Sequence, residues 1–257
     1  MAKIIAVANQ KGGVGKTTTA INLGASLGLL KKKTLLIDLD PQGHATIGCG
    51  ISSKQVKHTV YSALIGKIPA EEIIVPTPYK CLSVMPSGAD LAGAEIELVD
   101  MENRSQRLKE ALVSIKDRYD YILIDSPPSL GLLNLNGLSA CDTVLIPIQC
   151  EYLALDGLSK LLETIRQVKR MYNPLIGIEG ILLTMYDGRL NLTVQVLNEI
   201  KKHFPSKVYK TVVPRSVRLA EAPSFGKPIV YYDKASKGAK AYVELAKEIV
   251  KNQKRGK

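Results

Sequence analysis

A lysine–threonine pair ends the glycine-rich run Gln10-Lys11-Gly12-Gly13-Val14-Gly15-Lys16-Thr17, with Thr18 following. The run lies between a short β-branched stretch (residues 3–9) and an apolar pattern of helical period over about residues 16–30. Glycines let a backbone curl so that successive N–H groups face one anion. A helix starting at the same point adds a favourable dipole. In this strand–loop–helix setting Lys16 bridges the β- and γ-phosphates of a nucleoside triphosphate and the Thr17 hydroxyl coordinates Mg²⁺. Gly12, Gly13, Val14, Gly15, Lys16, Thr17 and Thr18 are therefore candidate phosphate ligands. An accidental glycine turn does not explain why the strand, the glycines, the Lys-Thr pair and the helix coincide. The loop is unusual in one respect: Gln10 replaces the first glycine of the common pattern G-x-x-x-x-G-K-[ST], and a second lysine, Lys11, stands early in the loop. A lysine there is not needed to hold phosphate within its own subunit.

Three aspartates follow apolar runs. Asp38 and Asp40 end the run 34–39, and Asp125 ends the run 121–125. In an extended segment residues i and i+2 point the same way, so Asp38 and Asp40 can both face one ligand. A carboxylate at a buried strand end is costly without a compensating cation or donors. Mg²⁺ and its bound waters offer that compensation; a helix N-cap or turn role is the alternative for any single one of the three. Phosphoryl transfer asks little covalent chemistry of a protein; it needs neutralised charge and an aligned water.

These residues need a scaffold, and the hydrophobic pattern supplies one. Continuous apolar runs at 3–9, 34–39, 82–85, 121–125, 142–148, 180–184 and 208–212 read as buried strands. Helical patterns occupy 16–30, 89–99, 105–118, 155–172, 190–203 and 236–251. Alternation of buried strands with helices predicts an α/β fold, a mostly parallel twisted sheet of about seven or eight strands with helices on both faces. Ligands of such sheets bind beyond the carboxyl ends of the strands, here after Asn9, Leu39, Asp125, Ile148 and Thr184. The 257 residues suit one domain, and no linker or repeat divides them. With aromatics at 5% and no tryptophan, the core must be aliphatic.

The net charge of +11 is unevenly spread. Residues 1–157 carry 15 basic and 16 acidic side chains, and residues 158–257 carry 20 and 8. A basic carboxyl-terminal part suits a polyanion. Cys49, Cys81, Cys141 and Cys150 show no metal-ligand spacing, and His44, His58 and His203 are far apart. No signal peptide and no apolar run of about 18 residues is present, so a cytoplasmic protein without integral membrane association is expected.

The loop with its early lysine resembles the deviant Walker A box of the ParA/MinD superfamily of ATPases. The resemblance runs from Met1 to about Val250. It is closest to the chromosomal ParA (Soj) branch, through residues 125–132, 147–158 and 214–228. The resemblance implies a single P-loop ATPase domain over residues 1–251, with a basic tail at 252–257. It also implies ATP and Mg²⁺ as cofactors, with Lys11 reaching across a homodimer to the partner's nucleotide and Gly12 permitting the close approach. Asp40 would orient the attacking water, with Lys11 and Lys16 neutralising the phosphate charge; Asp38 would lie near the Mg²⁺ shell and the P-loop lysine, Asp125 would be the Walker B aspartate, and both would meet Mg²⁺ through water. Pro214, Arg215 and Ser216 would contact the base or ribose through the backbone.

By the same likeness, the ATP-bound dimer binds double-stranded DNA without sequence preference and associates with the nucleoid, and a ParB-type partner stimulates hydrolysis. Arg189 and Arg218 match DNA-contacting positions. Lys201, Lys202, Lys207, Lys210, Lys247, Lys251, Lys254 and Arg255 extend that patch. A MinD-like membrane ATPase that positions division is the alternative. It would need a free amphipathic terminal helix, whereas Tyr242, Leu245, Ala246, Ile249 and Val250 form a face expected to pack on the domain.

Overall fold

The computed structural model describes residues 2–52, 56–129, 131–151 and 154–255. Strand β1 (Lys3–Val7) leads through the glycine loop into helix α1 (Lys16–Leu29), then β2 (Thr34–Asp38) and the short helix α2 (His44–Gly48). Two further short helices, α3 (Val60–Leu64) and α4 (Ala70–Ile73), precede β3 (Val75–Pro76) and β4 (Leu82–Met85). Helices α5 (Leu91–Glu97) and α6 (Arg107–Leu112) lead to β5 (Tyr121–Asp125), α7 (Leu132–Ala140) and β6 (Thr143–Gln149). The rest of the chain runs α8 (Ala154–Met171), β7 (Gly177–Tyr186), α9 (Asn191–His203) and β8 (Val208–Pro214). It ends with α10 (Val217–Glu221), α11 (Ile229–Tyr232) and α12 (Lys237–Arg255).

Eight strands form one sheet in the order β3-β4-β2-β5-β1-β6-β7-β8, parallel throughout except where β3 pairs antiparallel with β4. Every residue of β2 and β5 is buried. Strands covered on both faces need side chains that shed water on both sides, which is why they read as unbroken aliphatic runs. One core, under α1, α2, α10, α11 and α12, is built on Ile5, Val7, Leu36 and Leu123. The other, under α3 to α9, is built on Ala6, Ile37, Ile124 and Ile146. The carboxyl ends of β1, β2 and β5 are in register, with Val7 beside Asp125 and Asp125 beside Asp38. That register brings the glycine loop and two aspartates together.

Several elements depart from the sequence reading. The helix expected over 105–118 is α6 followed by a 3-10 turn at Lys116–Arg118. Helix α7 is missing from the hydrophobic pattern because it is buried on almost every side and carries Asn134, Asn136 and Gly137. It therefore has neither an amphipathic period nor strong helix formers. The eighth strand, β3, is a two-residue edge. Helix α12 runs on to Arg255, so no structural break follows residue 251 and the basic tail is helical as far as it is described.

Candidate functional site

The glycine loop is shaped by two left-handed residues, Gly13 (φ 76°) and Gly15 (φ 85°), a conformation that costs other residues a steric clash. Gly15 is also the N-cap of α1, and no acidic residue stands in that helix's first turn, so the terminal N–H groups and dipole are left to an anion. The loop is fastened at three points. Asn9 donates to the Pro147 carbonyl at 2.8 Å, Gln10 donates to Thr164 Oγ1 at 3.1 Å, and Thr184 donates to the Val14 carbonyl at 2.8 Å. Lys16 donates to the Lys11 carbonyl at 3.0 Å. Burial holds the Lys16 ammonium below its usual pKa, against the opposing pull of Asp125 and Asp40. Lys11 points to the rim of the loop and pairs with Glu151 of its own chain. A side chain at Gly12 would meet nothing within 4 Å.

Asp125 lies at the floor of this loop, fully buried, with the Thr17 hydroxyl beside it, and among the described residues neither of its carboxylate oxygens has a well-formed hydrogen bond. Burial, then the neighbouring Asp38, drives its carboxyl well above the usual carboxylate pKa; Thr17 and Lys16 act the other way. A buried carboxyl without a well-formed hydrogen bond, beside a threonine hydroxyl at a P-loop, fits a hard divalent cation such as Mg²⁺, whose charge would favour the ionised form. Asp38 is different. Its oxygens accept from the Thr46 N–H (2.8 Å), the Thr46 hydroxyl (2.7 Å) and the Asp40 N–H (3.2 Å). Burial still lifts it to about 6. The carboxylates that raise the Lys16 ammonium against burial are Asp125 and Asp40. Asp40 is only part-buried and accepts from the Gln42 N–H at 2.9 Å.

A cleft of about 250 Å³ opens beside the loop, lined by Gly15, Thr18, Thr184, Met185, Pro214 and Ser216 among others. The structure thus brings Pro214, Arg215 and Ser216, at the end of β8, to the same cavity as the start of α1. Met185 sits there with φ 48°, a strained value for a long side chain. Thr184 and Met185 were not singled out by sequence reasoning. Their only signal was position, since chemistry was expected after Thr184.

The basic residues do not gather into one patch. Arg189 follows β7 and Arg218 lies on α10 after β8, both at the carboxyl end of the sheet. Arg189 is held by Asp187 at 2.9 and 2.7 Å, which draws Asp187 down to about 2. Arg218 reaches Glu221 at 3.1 Å and Asp233 at 3.8 Å. Lys201 and Lys202 end α9, and Lys247 and Lys251 lie in the last turns of α12; both helices run back toward the opposite, amino end of the sheet. Of these, Lys247 pairs with Glu244 at 2.7 Å. Lys32, in the turn before β2, and Lys254 line one cleft at that amino end.

The apolar face of α12 is packed: Tyr242, Leu245, Ala246 and Ile249 are buried against the sheet, and Val250 is half-buried. Among the described residues no helix is long and apolar enough to cross a membrane.

A family model for an AAA domain matches residues 2–178. The chain is 56% identical to the sporulation initiation inhibitor protein Soj of Bacillus subtilis, over 98% of this chain and 100% of that one. It is 50% identical to the chromosome-partitioning ATPase Soj of Treponema pallidum, over 97% and 98%. Among solved structures it is similar to a Mycobacterium smegmatis protein described as cobyrinic acid a,c-diamide synthase, with bound ATP analogue and magnesium. That match has a TM-score of 0.89 and 37% identity, covering 100% of this chain and 97% of that one. It is also similar to the cell-division ATPase MinD of Pyrococcus furiosus, with a TM-score of 0.82 and 28% identity over 98% and 99%.

Proposed function

The chain belongs to the Soj/ParA family of chromosome-partitioning ATPases, in the ParA/MinD superfamily, and on that footing we propose that ATP binding between two copies switches it onto DNA. ATP and Mg²⁺ are the ligands that the family and the site share. The observation that carries the catalytic reading is Asp125, a buried carboxyl beside Thr17 that has no well-formed hydrogen bond among the described residues, lying at the floor of a glycine loop. Thr17 and Asp125 would hold Mg²⁺, Asp125 through water. When bound, the ion neutralises charge on the phosphates. The main-chain N–H groups from Gly12 to Thr18 and the Lys16 ammonium would hold the phosphates. Pro214, Arg215 and Ser216, with Thr184 and Met185, would enclose the base or ribose. Asp40, part-buried at the mouth, would orient the attacking water. Measuring ATP binding and turnover in Lys16→Ala tests the site; unchanged affinity would remove it.

Lys11 is the element of dimerisation in this reading. It lies at the rim, where it pairs with Glu151 and is not drawn into its own phosphate site. We infer that it leaves Glu151 for the partner's nucleotide, which makes the triphosphate part of the interface. Gly12, open on all sides, allows the approach. Loss of the γ-phosphate then removes interactions that only the dimer makes, and the population shifts to monomer.

The dimer would bind double-stranded DNA without reading bases and sit on the nucleoid, and a ParB-type partner would stimulate hydrolysis. The DNA-facing residues fall in two sets, Arg189 with Arg218 at the carboxyl end and Lys201, Lys202, Lys247 and Lys251 at the amino end. Two copies double each set, which steepens the dependence on salt. The MinD-like alternative would need the apolar face of α12 to be free, whereas Tyr242, Leu245, Ala246 and Ile249 lie in the core. DNA co-sedimentation compared with vesicle flotation separates the two.

A further inference from the structure

Between β2 and β4 the chain closes a ring of hydrogen bonds that phosphate binding does not require. The Thr46 N–H and hydroxyl both donate to Asp38 Oδ2, at 2.8 and 2.7 Å. The Thr46 hydroxyl oxygen accepts from the Ser87 N–H at 3.0 Å. The Ser87 hydroxyl donates to the Asp40 carbonyl at 2.7 Å, and the Asp40 N–H returns to Asp38 Oδ1 at 3.2 Å. Asp38, Thr46 and Ser87 are 0%, 1% and 2% exposed.

The ring has one arrangement only. Three of its donors are main-chain N–H groups, which cannot reverse. Thr46 has a single hydroxyl proton, committed to Asp38, so toward Ser87 it can only accept. The Ser87 hydroxyl faces a carbonyl, which can only accept. A network whose polarity is fixed and whose members are buried holds its atoms more tightly than one whose hydroxyls can flip.

The part held is the segment that carries Asp40. Residues 38–46 leave β2, pass Asp40, turn at Gly43 and enter α2. Ser87 follows β4, which runs in register beside β2 from Thr34 against Leu82 to Ile37 against Met85. Through Ser87, the Asp40 main chain is therefore tied to the sheet itself. The Asp40 carboxylate is near enough to Lys16 to act on its ammonium. A group that must align a water tolerates little displacement.

We propose that Thr46 and Ser87 are positioning residues for ATP hydrolysis: through this ring they hold the Asp40 main chain, and with it the carboxylate, in register with the triphosphate without touching it. The proposal rests on the reading of Asp40 as the residue that orients the water.

The direct test is Ser87→Ala, which keeps the fold intact because the Asp40 carbonyl still accepts from the Gly43 N–H at 2.9 Å. Single-turnover hydrolysis and the affinity for a fluorescent ATP analogue are measured on the full-length protein with Mg²⁺. The expected result is a fall in the hydrolysis rate of about tenfold or more, with ATP affinity within about twofold of wild type. Thr46→Val should behave alike and Thr46→Ser should restore most of the rate. In an Asp40→Ala background, Ser87→Ala should add no further loss. A wild-type hydrolysis rate in Ser87→Ala, or a rate lost only in proportion to ATP affinity, overturns the proposal while Asp40→Ala remains inactive. If Asp40→Ala itself hydrolyses ATP normally, the underlying reading of Asp40 fails instead.

Discussion

Asp38 and Asp125 are register partners at the carboxyl ends of adjacent parallel strands, both fully buried, yet among the described residues one is saturated with donors and the other has no well-formed hydrogen bond. Asp38 receives three hydrogen bonds from Thr46 and Asp40, while Asp125 has the Thr17 hydroxyl beside it without a well-formed hydrogen bond. Side by side, the two carboxylates divide the labour of the site. In the proposed reading the first would organise the segment that bears Asp40, and the second would keep its lone pairs for a cation beside Thr17.

That division makes Asp125 a stability liability in the nucleotide-free protein. An unpartnered buried polar group costs roughly 1–3 kcal/mol, more if charged. Asp125→Asn should therefore raise the melting temperature of the nucleotide-free protein and abolish the added stabilisation by Mg²⁺ with ATP. Scanning fluorimetry with and without Mg²⁺ and ATP checks both; a destabilised variant that keeps its ligand-induced shift contradicts the assignment.

The same burial sets a pH dependence. Asp38 is raised to about 6 and Asp125 well above its usual value, whereas an unfolded aspartate titrates near 3.9. Between those values the folded nucleotide-free protein binds more protons than the unfolded chain. Its stability should fall as pH rises from about 4 through about 6. Binding of Mg²⁺ with ATP, which favours ionised Asp125, should release protons. Calorimetry at pH 6 in two buffers of different ionisation enthalpy counts them, and Asp125→Asn should release fewer. Equal release from wild type and variant contradicts the reading.

Asp40→Ala should bind ATP with near wild-type affinity, lose turnover and accumulate as DNA-bound dimer. Turnover of the wild type should be slow without a partner, since no arginine finger is evident in the sequence. Nucleotide affinity and DNA co-sedimentation report on the variant together. Loss of nucleotide binding would place Asp40 in the binding site and not at the water.

The two basic sets predict separable effects on DNA. Arg189→Ala and Arg218→Ala should weaken DNA binding at unchanged ATP affinity. Reversing Lys201, Lys202 and Lys251 to glutamate should lower the slope of log affinity against log salt by about one for each phosphate that is no longer neutralised. Fluorescence anisotropy across a salt series distinguishes the sets. A set whose substitution leaves affinity and slope unchanged is not part of the DNA surface.

The glycine loop, Asp40 and Asp125 are legible in the sequence because each follows an unbroken apolar run that has only one structural reading. The run also says which end of the strand the residue occupies. Thr46 and Ser87 are not legible, because their partners lie across strands β2 and β4 and nothing in the local pattern records that register. Asp38 shows the limit of alternation: it places the side chain near Asp125, but not the donors that α2 supplies. The charge asymmetry between the two parts of the chain is real, yet composition cannot say that α9 and α12 carry their lysines away from the arginines. Helix α7 is invisible because burial on every side erases the period by which helices are found.

ATP should join two copies through Lys11. Light scattering in line with gel filtration, on the 28.0 kDa chain with Mg²⁺ and either ADP or a slowly hydrolysed ATP analogue, tests it most directly. A doubled mass is expected with the analogue only, and a single-chain mass for Lys11→Ala with either nucleotide. The same mass with both nucleotides in the wild-type protein would contradict it.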